Sequence, residues 1–225
     1  MEMEEAADRP DGVELVIFDC DGVLVDSERL SHEVMQAMLA ERGVDLSFDE
    51  TVDRFIGTSL AVCLARVGEL LGGSPSADFR AEFARRTQVA FAASLCTVPG
   101  VVQVLDALAM PHCVASNGNR AKVDFTLGHT GLLPRFAGRI FTADDVRHPK
   151  PAPDLFLLAA RSMGAAPART TVVEDTPTGI AAARAAGMRA IGFAAMTPAA
   201  RLAAAGADAV ATTMAEVQAL LAASA

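Results

Sequence analysis

Apolar positions along the chain change their period twice, and the changes divide it into three stretches. Residues 14–18 (Glu14-Leu15-Val16-Ile17-Phe18) form a short, mostly apolar run that ends at the turn Asp21-Gly22. Such a run reads as a strand buried on both faces. From about residue 30 to 97 the spacing is helical: Leu30, Val34 and Met38 fall on one helical face, as do Leu60, Cys63, Leu64, Val67, Leu70 and Leu71. Gly72-Gly73-Ser74-Pro75 breaks that helix, and residues 78–93, carrying Phe79 and Phe83, start another. After Pro99-Gly100 the pattern alternates. Helices are predicted over 101–108, 119–130, 154–163, 176–186, 198–205 and from 215, with strands over 112–115, 139–142, 171–173, 188–193 and 208–210.

Strands alternating with helices imply a parallel, doubly wound sheet. The first run supplies one of its strands, so the helical stretch is an insertion between that strand and the rest. The expected architecture is α/β, a doubly wound parallel core (residues 12–28 and 98–225) interrupted by an all-helical domain over 29–97. Residues 1–11 are expected to be a solvated, flexible tail.

Composition narrows the partners. At 52% hydrophobic, 225 residues have the material for a sizeable core. A net charge of −9 disfavours nucleic acid and anionic membranes, although a small anion could still enter a local positive pocket. With neither Trp nor Tyr, platforms for stacking bases are scarce. No apolar run approaches the ~18–20 residues of a membrane span. The acidic N-terminus has neither the basic nor the apolar segment of a secretion signal, so a cytoplasmic location is the expectation; the oligomeric state is left open, with a monomer favoured. Cys20, Cys63, Cys96 and Cys113 are scattered without a CxxC pair, which suits a reducing compartment, and Cys20 and Cys113, inside apolar runs, read as small buried hydrophobes.

In open parallel sheets, ligands bind beyond the carboxyl ends of the strands. The first strand is followed there by Asp19-Cys20-Asp21 and then Asp26-Ser27-Glu28. The second is followed by Ser116-Asn117-Gly118, the third by Asp144-Asp145 and, further on, Lys150, and the fourth by Glu174-Asp175. Asp19 and Asp21, two apart at a strand end, can face the same side while Cys20 points into the core. Clustered carboxylates repel unless a cation joins them or some stay protonated. All-oxygen ligands suit Mg²⁺, which binds one or two carboxylates, waters and phosphate oxygens. Lys150 then serves as a point charge for a phosphate oxygen, and the helix after Ser116-Asn117-Gly118 offers amides to an anion. This is equipment for phosphoryl transfer through an aspartyl-phosphate. An isolated Asp-x-Asp is more often a solvated turn, and Lys150 alone would be a surface lysine; the set together carries the reading. Asp26 and Glu28 are expected to form a hinge and cap the next helix, Asp144-Asp145 to be supporting groups or a solvated loop. His112, His129 and His148 read as structural, and so does His32, which also lies where a substrate contact is conceivable.

These residues resemble the haloacid dehalogenase superfamily of phosphatases and phosphomutases, whose four motifs occur in order between Val13 and about Phe193. The resemblance implies that Asp19 is the nucleophile and Asp21 the general acid and then base, its backbone carbonyl also on Mg²⁺. It implies that Ser116 and the Asn117 amide hold the phosphoryl group, and that Lys150 balances its charge. Asp175 would ligate Mg²⁺, with Glu174 ligating or holding a metal-bound water, and the insertion would be a cap that closes over a small phosphorylated metabolite. The chain is similar to the β-phosphoglucomutase branch. There, however, a cap His stands where this chain has Ser31, and an Arg stands where Leu60 follows Gly57-Thr58-Ser59. An apolar residue cannot pair a second phosphate, so a hydrolase is expected, closer to the bacterial 6-phosphogluconate phosphatase branch, with Arg54, Thr58 and Ser59 as cap-side substrate contacts. The mutase and a non-catalytic phosphate-binding module are the alternatives; retention of both Asp19 and Asp21 disfavours the latter. A dehalogenase would need neither the second Asp nor Mg²⁺.

Overall fold

A strand buried on both faces needs an apolar layer above and below it, and successive residues must divide between the two. The computed structural model, which describes residues 12–58, 60–73 and 77–223, shows that division. In β1 (Leu15–Phe18), Leu15 and Ile17 join one apolar cluster while Val16 and Phe18 join another. The same alternation splits Val114 from Cys113 and Ala115 in β2 (His112–Ser116), and Val173 from Val172 in β4 (Thr170–Glu174). It recurs at Ala190 and Ile191 of β5 (Arg189–Phe193). With β3 (Ile140–Thr142) and β6 (Ala209–Ala211) these make a six-stranded sheet in the order β3-β2-β1-β4-β5-β6. Every neighbouring pair is parallel, so each return connection crosses a face of the sheet.

The connecting helices cover the faces in two groups. Those named α5 (Val101–Ala107), α6 (Arg120–His129) and α10 (Met214–Ala222) pack on the Phe18 side. The opposite layer holds α7 (Asp154–Met163), α8 (Pro177–Ala185) and α9 (Ala199–Ala204). Alanines such as Ala159, Ala182 and Ala183 let α7 and α8 lie close to the strands. The fold is the α/β doubly wound parallel sheet expected from the alternating pattern.

Between β1 and β2 run α1 (Ser27–Ala40), α2 (Phe48–Phe55), α3 (Leu60–Leu71) and α4 (Ala77–Ser94), which enclose a third cluster around Met35, Met38, Leu39, Phe55, Val67 and Phe79. The chain enters and leaves this block side by side: Asp26 N–H donates to Cys96 C=O (3.0 Å) and Val98 N–H to Leu24 C=O (3.0 Å). Arg86 bridges α4 to Glu41 with two bonds of 2.6 and 2.8 Å, tying the block's first and last helices together. The hydrophobic spacing did not separate α2 from its neighbours. Its start is legible as a capping box, in which Ser47 and Glu50 bond each other's backbone N–H. Asp26 makes no capping bond to α1, contrary to expectation, because Arg29 Nε engages its carboxylate at 2.6 Å. All four cysteines are free, and Cys20 and Cys113 are buried. Among the described residues no helix is long and apolar enough to cross a membrane. The tail at 1–11 lies outside the described residues.

Ile17 sits in the central strand with 0% exposure. Ile17→Ala should therefore lower unfolding free energy by about 3 kcal/mol in urea titration; a loss below about 1 kcal/mol would contradict a fully packed layer under β1.

Candidate active site

The strand order reverses beside β1: the chain leaves β1 toward β2 and β3 on one side and returns as β4 on the other. A crevice opens at such a reversal, beyond the carboxyl ends of the strands. It forms a cavity of about 430 Å³, floored by Asp19, Asp21, Ser116, Lys150, Glu174 and Asp175 and walled by Glu28, His32, Phe55, Gly57 and Thr58 of the helical block. The loop at Gly57 closes against the core, since a Cβ there would stand 3.7 Å from Pro177.

Lys150 is the buried hub of the floor. Its Nζ donates to Asp19 Oδ1 at 2.5 Å and to Glu174 Oε2 at 2.7 Å, and lies 4.7 Å from the centre of the Phe156 ring. Burial opposes its charge, but Asp19 and Glu174 outweigh that and hold the ammonium protonated. Its backbone is clamped as well. The Asn117 side chain donates to the Lys150 carbonyl and accepts from the Lys150 N–H, both at 3.0 Å. One N–H and the oxygen of that amide are thereby committed to the Lys150 backbone. Glu174 is fixed at its other oxygen by Thr176 N–H (3.1 Å) and Oγ1 (2.7 Å), while Ser116, 1% exposed, accepts from Gly118 N–H at 3.0 Å.

Asp21 has a separate environment. Ser27 Oγ donates to its Oδ1 at 2.5 Å and Lys122 Nζ to its Oδ2 at 2.8 Å. Burial alone would raise its pKa; Lys122 and Ser27 outweigh burial and keep it below the ordinary carboxylate range. Asp19 goes the other way: burial, with Glu174 and Asp21 adding to it against Lys150, pushes it up to about 8. Glu28 is raised to about 7, chiefly by burial and then by Asp21, and Asp175 is raised by burial and by Glu28.

Among the described residues, the carboxyls Asp19, Asp21, Glu28, Glu174 and Asp175 thus face only two ammonium groups, Lys122 and Lys150. One oxygen from each of Asp19, Glu174 and Asp175 lies within 4.8 Å of the others. Asp175 Oδ1 is buried without a hydrogen-bond partner among the described residues, as is Glu28 Oε2. Orphaned, mutually repelling carboxyl oxygens in an all-oxygen set fit a small divalent cation such as Mg²⁺. The backbone makes room for the cluster at two glycines. Gly22 has φ +75°, and a Cβ there would overlap the Asp175 carboxylate; one on Gly179 would overlap Glu174.

Of the expected cap-side contacts, Thr58 lines the cavity, Arg54 does not, and Ser59 lies outside the described residues. Arg54 is exposed because α2 turns Thr51, Val52 and Phe55 inward, leaving Arg54 on the solvent side. Asp144 and Asp145 stay out of the cavity: Asp144 accepts from Arg120 N–H at 2.9 Å, and Asp145 from Thr142 N–H at 2.7 Å. Sequence reasoning missed Lys122, and took Glu28 for a helix cap. A signal for Lys122 existed. A cation in the first turn of a helix opposes the helix dipole, and such a local conflict marks a tertiary partner.

The haloacid dehalogenase-like hydrolase family matches residues 13–187. A 6-phosphogluconate phosphatase from Escherichia coli (strain K12) is 34% identical over 183 residues, covering 80% of this chain and 82% of that protein. A haloacid dehalogenase family hydrolase from Deinococcus radiodurans, solved with bound phosphate and sodium, is 33% identical with a TM-score of 0.82, covering 94% of this chain and 96% of that one. A putative beta-phosphoglucomutase from Thermotoga maritima is 26% identical with a TM-score of 0.77, covering 93% and 99%.

The raised carboxyls fix how stability depends on pH. Asp19 ordinarily loses its proton near 3.8 and Glu28 near 4.5, but in the fold they hold it to about 8 and about 7. Across that window the folded chain carries more protons than the unfolded one, so stability falls as pH rises. Metal-free protein should melt at a lower temperature at pH ~8 than at pH ~6, and added Mg²⁺ should shrink the difference. A melting temperature that rises with pH in EDTA, or ignores Mg²⁺, would refute this electrostatic picture of the floor.

Proposed function

The chain belongs to the haloacid dehalogenase-like hydrolases, and from that premise we propose that it hydrolyses phosphate monoesters through a covalent aspartyl-phosphate on Asp19. The proposed substrates are small phosphorylated sugars or sugar acids, the class to which the Escherichia coli relative's name points. The observation that carries the reading is the placing of Asp19 at the end of β1, on the cavity floor, 2.5 Å from Lys150 and beside a second, differently held Asp.

In the first step a carboxylate oxygen of Asp19 bonds to phosphorus, the bond from phosphorus to the ester oxygen breaks, and that oxygen leaves with the electron pair and takes a proton from Asp21. Without substrate Asp21 is ionised, and the negative ester raises its proton affinity on binding. In the second step a water oxygen bonds to phosphorus, its proton passes to Asp21, and the acyl-phosphate bond breaks to restore Asp19. Lys150 balances the charge that Asp19 and the phosphoryl group bring together, and Ser116 with the Asn117 backbone N–H holds that group. Mg²⁺ held by Asp19, Asp175 and the Asp21 carbonyl, with Glu174 ligating or holding a metal-bound water, would supply the positive charge that lets a dianion approach these carboxylates. Residues 29–97 act as a cap that keeps bulk water from the intermediate. Ser31, where the mutase branch has a His, bonds the Ser27 carbonyl at 2.9 Å, and Arg54 faces solvent; neither favours a mutase.

Inorganic phosphate release from a panel of sugar phosphates should require Mg²⁺ and stop in EDTA. Asp19→Asn should lower kcat by about a thousandfold or more, because no other group can take the nucleophile's place. Acid quenching during turnover should trap phosphate on the peptide containing residue 19; label elsewhere, or substantial activity in Asp19→Asn, would overturn the assignment.

A further inference from the structure

The cavity wall that would meet the non-phosphate end of a substrate is polar but, among the described residues, carries no free cation. His32 lines it, and its Nδ1 lies 2.7 Å from the Glu28 carbonyl, one turn earlier on α1. A carbonyl only accepts, so Nδ1 carries the proton and Nε2 keeps a lone pair. Burial lowers the pKa of His32, which favours this neutral form. Thr58 Oγ1 donates its hydrogen to the Phe55 carbonyl at 2.7 Å, and Thr176 Oγ1 donates its own to Glu174 at 2.7 Å. The Asn117 side chain has one N–H and its oxygen committed to the Lys150 backbone. Glu28 Oε2 adds a further oxygen with no partner among the described residues. His32 and Thr58 have thus used their protons inside the protein and present lone pairs, Thr176 Oγ1 also accepts from Gly179 N–H at 3.1 Å, and Thr178, which lines the cavity too, keeps a hydroxyl that can donate or accept.

Positive charge is also missing from that wall. Among the described residues Lys150 is the only ammonium or guanidinium lining the cavity, and it is already bonded to Asp19 and Glu174. Lys122 is bonded to Asp21, and Arg54 is exposed outside the cavity.

Resting on the phosphatase reading, we propose that the site selects phosphate esters whose leaving group is an uncharged polyhydroxyl chain or ring, and discriminates against sugar acids and bisphosphates. A substrate hydroxyl can donate to His32 Nε2, Thr58 Oγ1 or Thr176 Oγ1. A carboxylate or second phosphate has no proton to give, would find no free cation there among the described residues, would face the Glu28 carboxyl, and would lose hydration that neutral hydroxyls replace only in part. A site that rejects by unpaired polar groups discriminates more strongly than one that rejects by shape. Substrate class is thereby narrowed from sugar or sugar acid to the neutral member of that pair.

The test uses two esters that differ at one carbon: glucitol 6-phosphate, with a terminal hydroxymethyl group, and 6-phosphogluconate, with a carboxylate there. With Mg²⁺ present, kcat/KM for the polyol ester should exceed that for the sugar acid by about tenfold or more. Asp19→Asn protein should bind the two in the same order by calorimetry, which reads selectivity without turnover. Thr58→Arg, which adds a guanidinium to the wall, should cut the preference by about tenfold or reverse it. Equal use of the two esters, or preference for 6-phosphogluconate, in rate and in binding, would overturn the proposal while leaving the phosphatase reading intact. Release of phosphate from neither ester nor any other sugar phosphate would overturn the phosphatase reading instead, and the binding order would still decide the selectivity.

Discussion

The buried contact between Lys150 and the carboxyls of Asp19 and Glu174 is the constraint around which the site is arranged. Removing ions of this size from water costs several kcal/mol apiece, of order, even after relaxation, and the cost is recovered only when geometry and hydrogen bonding are close to complete. The structure supplies that completeness from parts far apart in sequence. Phe156 of α7 lies under the ammonium, Asn117 grips the Lys150 backbone, and Thr176 holds the free end of Glu174. Loss of any of these would leave a buried charge with fewer partners, so the loops after β2, β3 and β4 hold one another in place through a single side chain.

Topology makes the convergence possible. Because β1 lies between β2 and β4, the loops after all three strands end at one edge, and the insertion leaving β1 arches over the same edge. Backbone shape then decides how tightly the carboxyls can cluster. Gly22 and Gly179 leave space that Asp175 and Glu174 fill, and any side chain at either position would displace a carboxylate. The result is a floor whose acids outnumber its bases, with one aspartate held ionised by Lys122 and Ser27 while its neighbour Asp19 is pushed toward protonation. Two like residues in opposite environments are suited to different parts in one reaction.

The wall above that floor is its chemical opposite. Its polar side chains are uncharged apart from Glu28, and His32 and Thr58 present lone pairs because their protons are used inside the protein. Under the proposed function, the charged floor would take the phosphate and the wall the hydroxyls of the leaving group, dividing the work between the sheet and the inserted helices.

Much of this was legible in the sequence. The two-residue period of Leu15-Val16-Ile17-Phe18 determined a strand buried on both faces, and the alternation after Gly100 determined a parallel sheet. The rule that ligands sit beyond strand ends then placed Asp19, Ser116, Lys150 and Glu174-Asp175 together without coordinates. Local chemistry sufficed there because strand ends are fixed by periodicity. Tertiary structure alone decided the rest, since it depends on which side chains meet across large separations. Lys122 reaches Asp21 from 101 residues away, and the Asn117 side chain clamps a backbone 33 residues away. Glu28 and His32 enter the cavity because α1 presents that face to it, and Arg54 is lost to solvent because α2 buries its other side. No spacing rule encodes those meetings, because hydrogen-bond partners are selected by geometry after the elements have packed.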